Sequence, residues 1–195
     1  PVVGQYNGLL DNNGEQLVIQ DSSGNVILNF TYNDGSEWPS GSDGEGYSLV
    51  SRYPQLNDPL SWRDSDLLMG NPGESDNLRF SGLPSADEDG DGVEALLEYA
   101  SGGDDRSPGD DLATPVLSIS RDGRLEIMIS LNLSAFDIDI SLEQTSDLVT
   151  WEPLVGFERI AIIRNQAKGT ARVVYRATTP QESSTKFLRL RATLR

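Results

Sequence analysis

The sequence predicts a mostly β chain, on three observations. Short apolar runs alternate with clusters of Gly, Asn, Asp and Ser over most of the 195 residues. Helical spacing is confined to one brief segment, Glu94-Ala-Leu-Leu-Glu-Tyr-Ala100. Charge is divided unevenly: residues 1–112 carry 22 Asp and Glu against 4 Arg, while residues 113–195 carry 9 against 11 Lys and Arg. Two β-rich bodies joined by an acidic segment with a short helix account for all three. The expected boundaries are 1–80, 81–112 and 113–195.

Residues 1–80 are short apolar runs broken by Gly, Asn and Asp. Pro1-Val-Val-Gly-Gln-Tyr6 reads as the middle of a strand, which leads us to expect a piece of a longer protein with other domains. Residues 17–20 and 26–32 flank Asp21-Ser-Ser-Gly-Asn25 and read as a hairpin with a loop of about five residues. A polar loop from Asn33 to Gly46 leads to a further strand over 47–53, and 54–80 is mostly turn material. Trp38 and Trp62 read as core or loop anchors, with a ligand-stacking platform as the alternative.

Several motifs of this half occur in a particular order: Gly4-Gln-Tyr-Asn-Gly8, Leu10-Asp-Asn-Asn-Gly-Glu-Gln-Leu-Val18, Asp21-Ser-Ser-Gly-Asn-Val26, Phe30-Thr-Tyr-Asn-Asp34, Trp38-Pro39, Asp43-Gly-Glu-Gly-Tyr-Ser-Leu49, Ser61-Trp62 and Gly70-Asn-Pro-Gly73. In that order they resemble bacterial lamin tail domains over residues 1–75. The resemblance implies an immunoglobulin-like β-sandwich, here without its first strand or strands. It also implies a place in secreted multidomain proteins, as an adhesive or targeting module without catalytic residues.

The acidic segment holds the most specific motif. Asp87-Glu-Asp-Gly-Asp-Gly-Val-Glu-Ala-Leu-Leu-Glu98 fits D-x-D-x-D-G-x5-E, the spacing of an EF-hand calcium loop. A hard dication takes about six to eight oxygens, and alternate residues of a tight loop point inward to supply them. Asp87, Asp89 and Asp91 offer carboxylates, Val93 its backbone carbonyl, and Glu98 a final carboxylate. Gly92 stands where the chain turns sharply. A solvated acidic turn is the bland alternative. Two departures stand out: Ala95 replaces a polar ligand, and Gly82 and Pro84 forbid a normal entering helix. The segment resembles half an EF-hand, similar to dockerin repeats and to calcium spacers of bacterial secreted proteins, which implies a structural or docking role. The helix after the loop spans about two turns, ends at Ser101-Gly-Gly103, and needs an apolar neighbour for Leu96, Leu97 and Tyr99. Asp104 to Asp111 reads as charged linker, with a further cation ligand as the alternative.

Residues 113–195 carry longer alternating strands. Residues 116–121 and 124–131 flank Asp122-Gly123, which predicts a two-residue type I′ hairpin, and Leu125, Ile127, Ile129 and Leu131 share a face. Further strands are expected over 138–144, 151–154, 157–164, 170–178 and 186–194, enough for a second sandwich. Leu142-Glu-Gln-Thr-Ser-Asp-Leu-Val-Thr-Trp151 and Lys186-Phe-Leu-Arg-Leu-Arg191 resemble a C-terminal β-domain that follows such calcium linkers in bacterial secreted proteins. Arg172, Arg176, Arg189 and Arg191 form either solvated surface or a basic stripe that docks an acidic partner.

Composition narrows the function. The chain has no Cys and no His, which removes thiol nucleophiles, Ser-His-Asp triads, disulfides and the usual zinc sites. A net charge of −16 disfavours nucleic acid and anionic membranes, and no apolar run is long enough to span a bilayer. Carboxylate catalysis of glycoside hydrolysis finds no pair at a recognisable strand end. The expectation is a non-catalytic extracellular or cell-surface module of a bacterial protein, serving attachment, targeting or spacing. Calcium would neutralise the joint and stiffen it. The alternative is a carbohydrate-binding module that meets a polysaccharide through exposed Trp38, Trp62 or Trp151.

Overall fold

A computed structural model describes residues 8–76, 78–109, 112–180 and 186–195; the strand expected over 1–6 lies outside them. The protein is mostly β with several antiparallel sheets. It divides into two compact units, residues 1–77 and 78–195. The segment over 81–112, which the sequence sets apart as a joint, is grouped with the second unit.

In the first unit, β1 (Gln16–Gln20) and β2 (Val26–Thr31) pair as an antiparallel hairpin with Leu17 opposite Phe30. The five-residue loop closes on the Asp21 carboxylate, which accepts from the amides of Ser23 (2.8 Å) and Asn25 (2.9 Å). A second antiparallel pair joins β3 (Tyr47–Ser51) to β4 (Trp62–Leu68). β4 falls in the stretch read from sequence as turn. Its pattern hides it, because Arg63 and Ser65, two apart on one face, are both buried. Each is buried as a hydrogen-bonded group: Arg63 Nη1 donates to Asp64 O (2.7 Å) and Asp66 Oδ1 (2.9 Å), and Nη2 to Asp76 O. Ser65 Oγ accepts from the Ser48 amide (2.9 Å) and donates to Leu67 O (2.7 Å). Polar groups hydrogen-bonded in this way replace the apolar alternation that marks a strand. Phe30, Trp38 and Trp62 form the core, with rings of Phe30 and Trp62 4.9 Å apart. The Trp62 indole donates to Leu56 O at 2.7 Å.

The second unit begins with α1 (Ala95–Ser101). Next come β5 (Val116–Ile119), β6 (Leu125–Asn132), β7 (Ile138–Thr145), β8 (Glu152–Pro153), β9 (Phe157–Asn165), β10 (Thr170–Ala177) and β11 (Phe187–Leu194). They form a four-stranded sheet, β5-β6-β10-β9, and a three-stranded sheet, β11-β7-β8, with neighbours antiparallel. Ile127, Ile129, Ile138, Ile162, Val173 and Leu190 are buried on these strands.

The hairpin between β5 and β6 turns differently from the two-residue type I′ expectation. Ser120 and Arg124 flank a three-residue loop, with the Ser120 amide on Arg124 O (2.9 Å) and the Gly123 amide on Ser120 O (2.9 Å). Gly123 takes φ +78, while Asp122 is not among the positive-φ residues. Asp122 instead spends its carboxylate on Ser120 Oγ and on Arg124 Nε (2.6 Å). This is a turn followed by a left-handed glycine, a three-residue solution that also matches strand twist.

The helix packs on β6 and β11. Leu96 and Ala100 bury against Ile138, beside Phe80, Tyr99, Ile140 and Ala192; full burial of one such leucine contributes about 2 kcal/mol. Its last carbonyls are satisfied by strand side chains: Asn132 Nδ2 donates to Tyr99 O and Ser130 Oγ to Ser101 O, each at 2.9 Å. Gly102 ends it in the left-handed region at φ +89.

Candidate metal centre

The alternating aspartates fold into a tight loop because each carboxylate caps amides ahead of it. Asp87 Oδ1 accepts from the Gly90 amide (2.8 Å) and Oδ2 from the Gly92 amide (3.1 Å). Asp89 Oδ1 accepts from the Asp91 amide (3.1 Å), and Asp91 Oδ1 from the Val93 amide (2.8 Å). Gly90 and Gly92 take φ of +77 and +92, where a side chain would be strained. As a result, carboxylate oxygens of Asp87, Asp89 and Asp91 lie within 4.8 Å of one another.

The ends of the loop are clasped by backbone. The Ala95 amide donates to Ala86 O (2.8 Å) and the Leu96 amide to Pro84 O (3.1 Å). Two of the first amides of α1 therefore find partners in the chain that enters the loop, and no entering helix forms over 81–86. Glu98 stands on α1 and is only 2 % exposed, outside the tight three-aspartate group. Val93 is half-buried with its amide engaged, and Ala95 is buried.

Asp89 is the half-buried member of the triad. Its Oδ2 is buried and accepts no hydrogen bond. Burial pushes its carboxyl above the usual range; the Asp91 amide opposes this, and the carboxylates of Asp91, Asp87 and Asp105 add to it. A buried carboxylate oxygen among like charges is costly unless a cation meets it. The donor set is oxygen alone, which suits hard divalent ions rather than zinc or copper. The triad can hold a metal ion.

Sequence reading missed what the segment after α1 does. Residues 104–109 fold back onto the loop: the Glu88 amide donates to Asp105 Oδ1 (3.0 Å), and Arg106 Nε donates to Glu88 Oε2 (3.0 Å). The Gly109 amide reaches Asp91 Oδ2 at 3.5 Å. The signal in the sequence was an arginine inside an acidic run, which is equally common in solvated linkers. Arg106 and Glu88 are 78 % and 55 % exposed, so the pair contributes position more than stability. Asp110 and Asp111 lie outside the described residues.

The other candidate residues divide. Trp38 and Trp62 are buried in the first unit's core, which corrects the alternative in which they are exposed for stacking. Trp151 is half-buried beneath the Arg189 guanidinium, 4.1 Å from its ring centroid. The basic stripe is largely neutralised in place: Arg176 pairs with Glu126 (2.6 Å), and Arg189 and Arg191 share Glu143 (2.6 and 3.3 Å). Burial raises the Glu143 carboxyl, but hydrogen bonds from Arg189 and Arg191 outweigh it and hold the group below its ordinary value. Arg172 remains exposed.

Fold and site together describe a mostly β protein with a carboxylate triad able to hold a metal ion. No family model matches the chain, and no curated protein or solved structure is significantly similar to it.

Proposed function

We propose that residues 87–98 hold a structural Ca²⁺, and that the chain is a non-catalytic, calcium-stabilised module of a larger extracellular or cell-surface protein, used for attachment, targeting or spacing. The observation that carries the metal reading is the buried, unpartnered Oδ2 of Asp89 inside the three-aspartate group. Asp87, Asp89 and Asp91 would bind through carboxylates, with the Val93 carbonyl and the Glu98 carboxylate completing the set. The ion supplies charge neutralisation, and millimolar calcium outside cells suits a loop of this kind.

The same proposal includes the finer architecture, two immunoglobulin-like β-sandwiches, the first of lamin-tail type. Support comes from the four- and three-stranded antiparallel sheets of the second unit and from the buried isoleucines on both. Calorimetric titration of the metal-free protein with CaCl₂ tests the ion. Wild type is expected to bind one equivalent, and Asp89→Asn to bind at least about tenfold more weakly, a loss near 1.4 kcal/mol. No heat, or equal affinity in the variant, refutes the site. Small-angle scattering with calcium and with chelator tests the spacing role, and identical curves would count against it.

A further inference from the structure

The first unit contains a cleft of about 370 Å³. Half-buried Tyr32 and Tyr47 line it, backed by the core rings of Phe30 and Trp62, together with Asp34 and Asp43, and no Lys or Arg does. Asp34 and Asp43 are exposed, and neither carboxylate accepts a hydrogen bond among the described residues. The charge around the cleft is equally one-sided. Residues 1–77 contain twelve Asp and Glu against two Arg, a net of −10. Both arginines, Arg52 and Arg63, are buried, so the exposed charge of the described unit is acidic.

We infer that this cleft receives the lysine side chain of a basic polypeptide partner. A lysine combines an apolar stem, which suits the aromatic wall, with an ammonium group that suits a carboxylate rim. A neutral sugar offers those carboxylates hydroxyl donors but no opposite charge. A bare inorganic cation would gain nothing from the aromatic wall. The surrounding negative surface is wider than one ammonium group needs, and it steers a polycationic chain toward the cleft.

The test uses the full chain with calcium saturating throughout. Backbone amide NMR shifts are followed at Leu17, Tyr32 and Tyr47 during titration with Nα-acetyl-lysine methylamide, its Nε-acetylated analogue, spermidine, and a lysine-rich pentapeptide. Expected are saturable shifts with the lysine probe and none with the acetylated one. The pentapeptide should bind more tightly than spermidine, and affinity for it should fall about tenfold in Asp34→Asn/Asp43→Asn. Both substitutions are at exposed positions, and unchanged spectral dispersion verifies the fold. Absence of shifts, equal shifts from the acetylated analogue, or spermidine binding as tightly as the peptide would each overturn the inference. Residues 87–98 take no part, so its failure leaves the calcium proposal standing.

Discussion

Single side chains set the tightest local geometry in this protein, and Asp147 shows how. Its carboxylate accepts from the amides of Thr150 (2.8 Å) and Val149 (2.9 Å) and from Thr145 Oγ1 (2.8 Å). The backbone bonds, first that of Thr150 and then that of Val149, hold its carboxyl at about 2, below the ordinary 3.8. The same turn keeps Leu148 at φ +60, an uncommon conformation for a branched side chain. A lowered folded-state value means that ionised Asp147 stabilises the fold fully above about pH 4. That contribution is lost as pH falls toward about 2. A carboxyl-carbon NMR titration should place the midpoint near 2, and Asp147→Asn should remove this component of acid sensitivity. A midpoint near 4 would refute it.

At the scale of elements, α1 is the part that depends most on its surroundings. Seven residues are too few for a stable isolated helix, so its persistence rests on packing and on its two ends. The N-terminal end is tied to the loop through Ala86 and Pro84, and the C-terminal end is closed by Gly102. Gly102 is doubly constrained. Its φ is +89, and a Cβ there would stand 2.5 Å from Thr170 Cγ2 on β10. Gly102→Ala should therefore destabilise the protein by at least about 1 kcal/mol, measured by urea unfolding. A variant as stable as the parent would show that the helix end is not held against the sheet. By contrast Gly123 meets nothing within 4 Å, so Gly123→Ala carries only the backbone cost.

At the scale of the molecule, the division at residues 77 and 78 decides where an ion would be felt. The hydrogen bonds that hold the three-aspartate turn and its flanks run between Pro84 and Gly109, inside the second unit. Trp38 and Trp62 belong to the first unit and Trp151 to the second, which provides a built-in reporter. In Trp151→Phe, tryptophan fluorescence follows the first unit, while circular dichroism follows both. Calcium at about a hundredfold excess over Kd should stabilise the second unit by about 2.7 kcal/mol. That is on the order of 10 °C for a domain of this size. The fluorescence transition should not move. A parallel shift in both signals would assign the ion a role beyond its own unit.

The amino-acid sequence alone determined the elements whose cause is local. The hairpin over 16–31, the strands after Pro115, the glycine-capped helix and the inward clustering of Asp87, Asp89 and Asp91 all follow from alternation, turn residues and fixed spacing within a few positions. Tertiary structure decided the rest, because the causes there are distant in sequence. β4 exists because Ser48 and Asp76 hydrogen-bond its buried Ser65 and Arg63, which no periodicity reveals. Residues 104–109 became part of the acidic loop because Glu88 offered both an amide and a carboxylate to them. Trp38 and Trp62 became core because Phe30, Leu49 and Leu56 converge on them. A pattern can state that a side chain is apolar or charged, but which groups meet it is settled only when the chain folds back on itself.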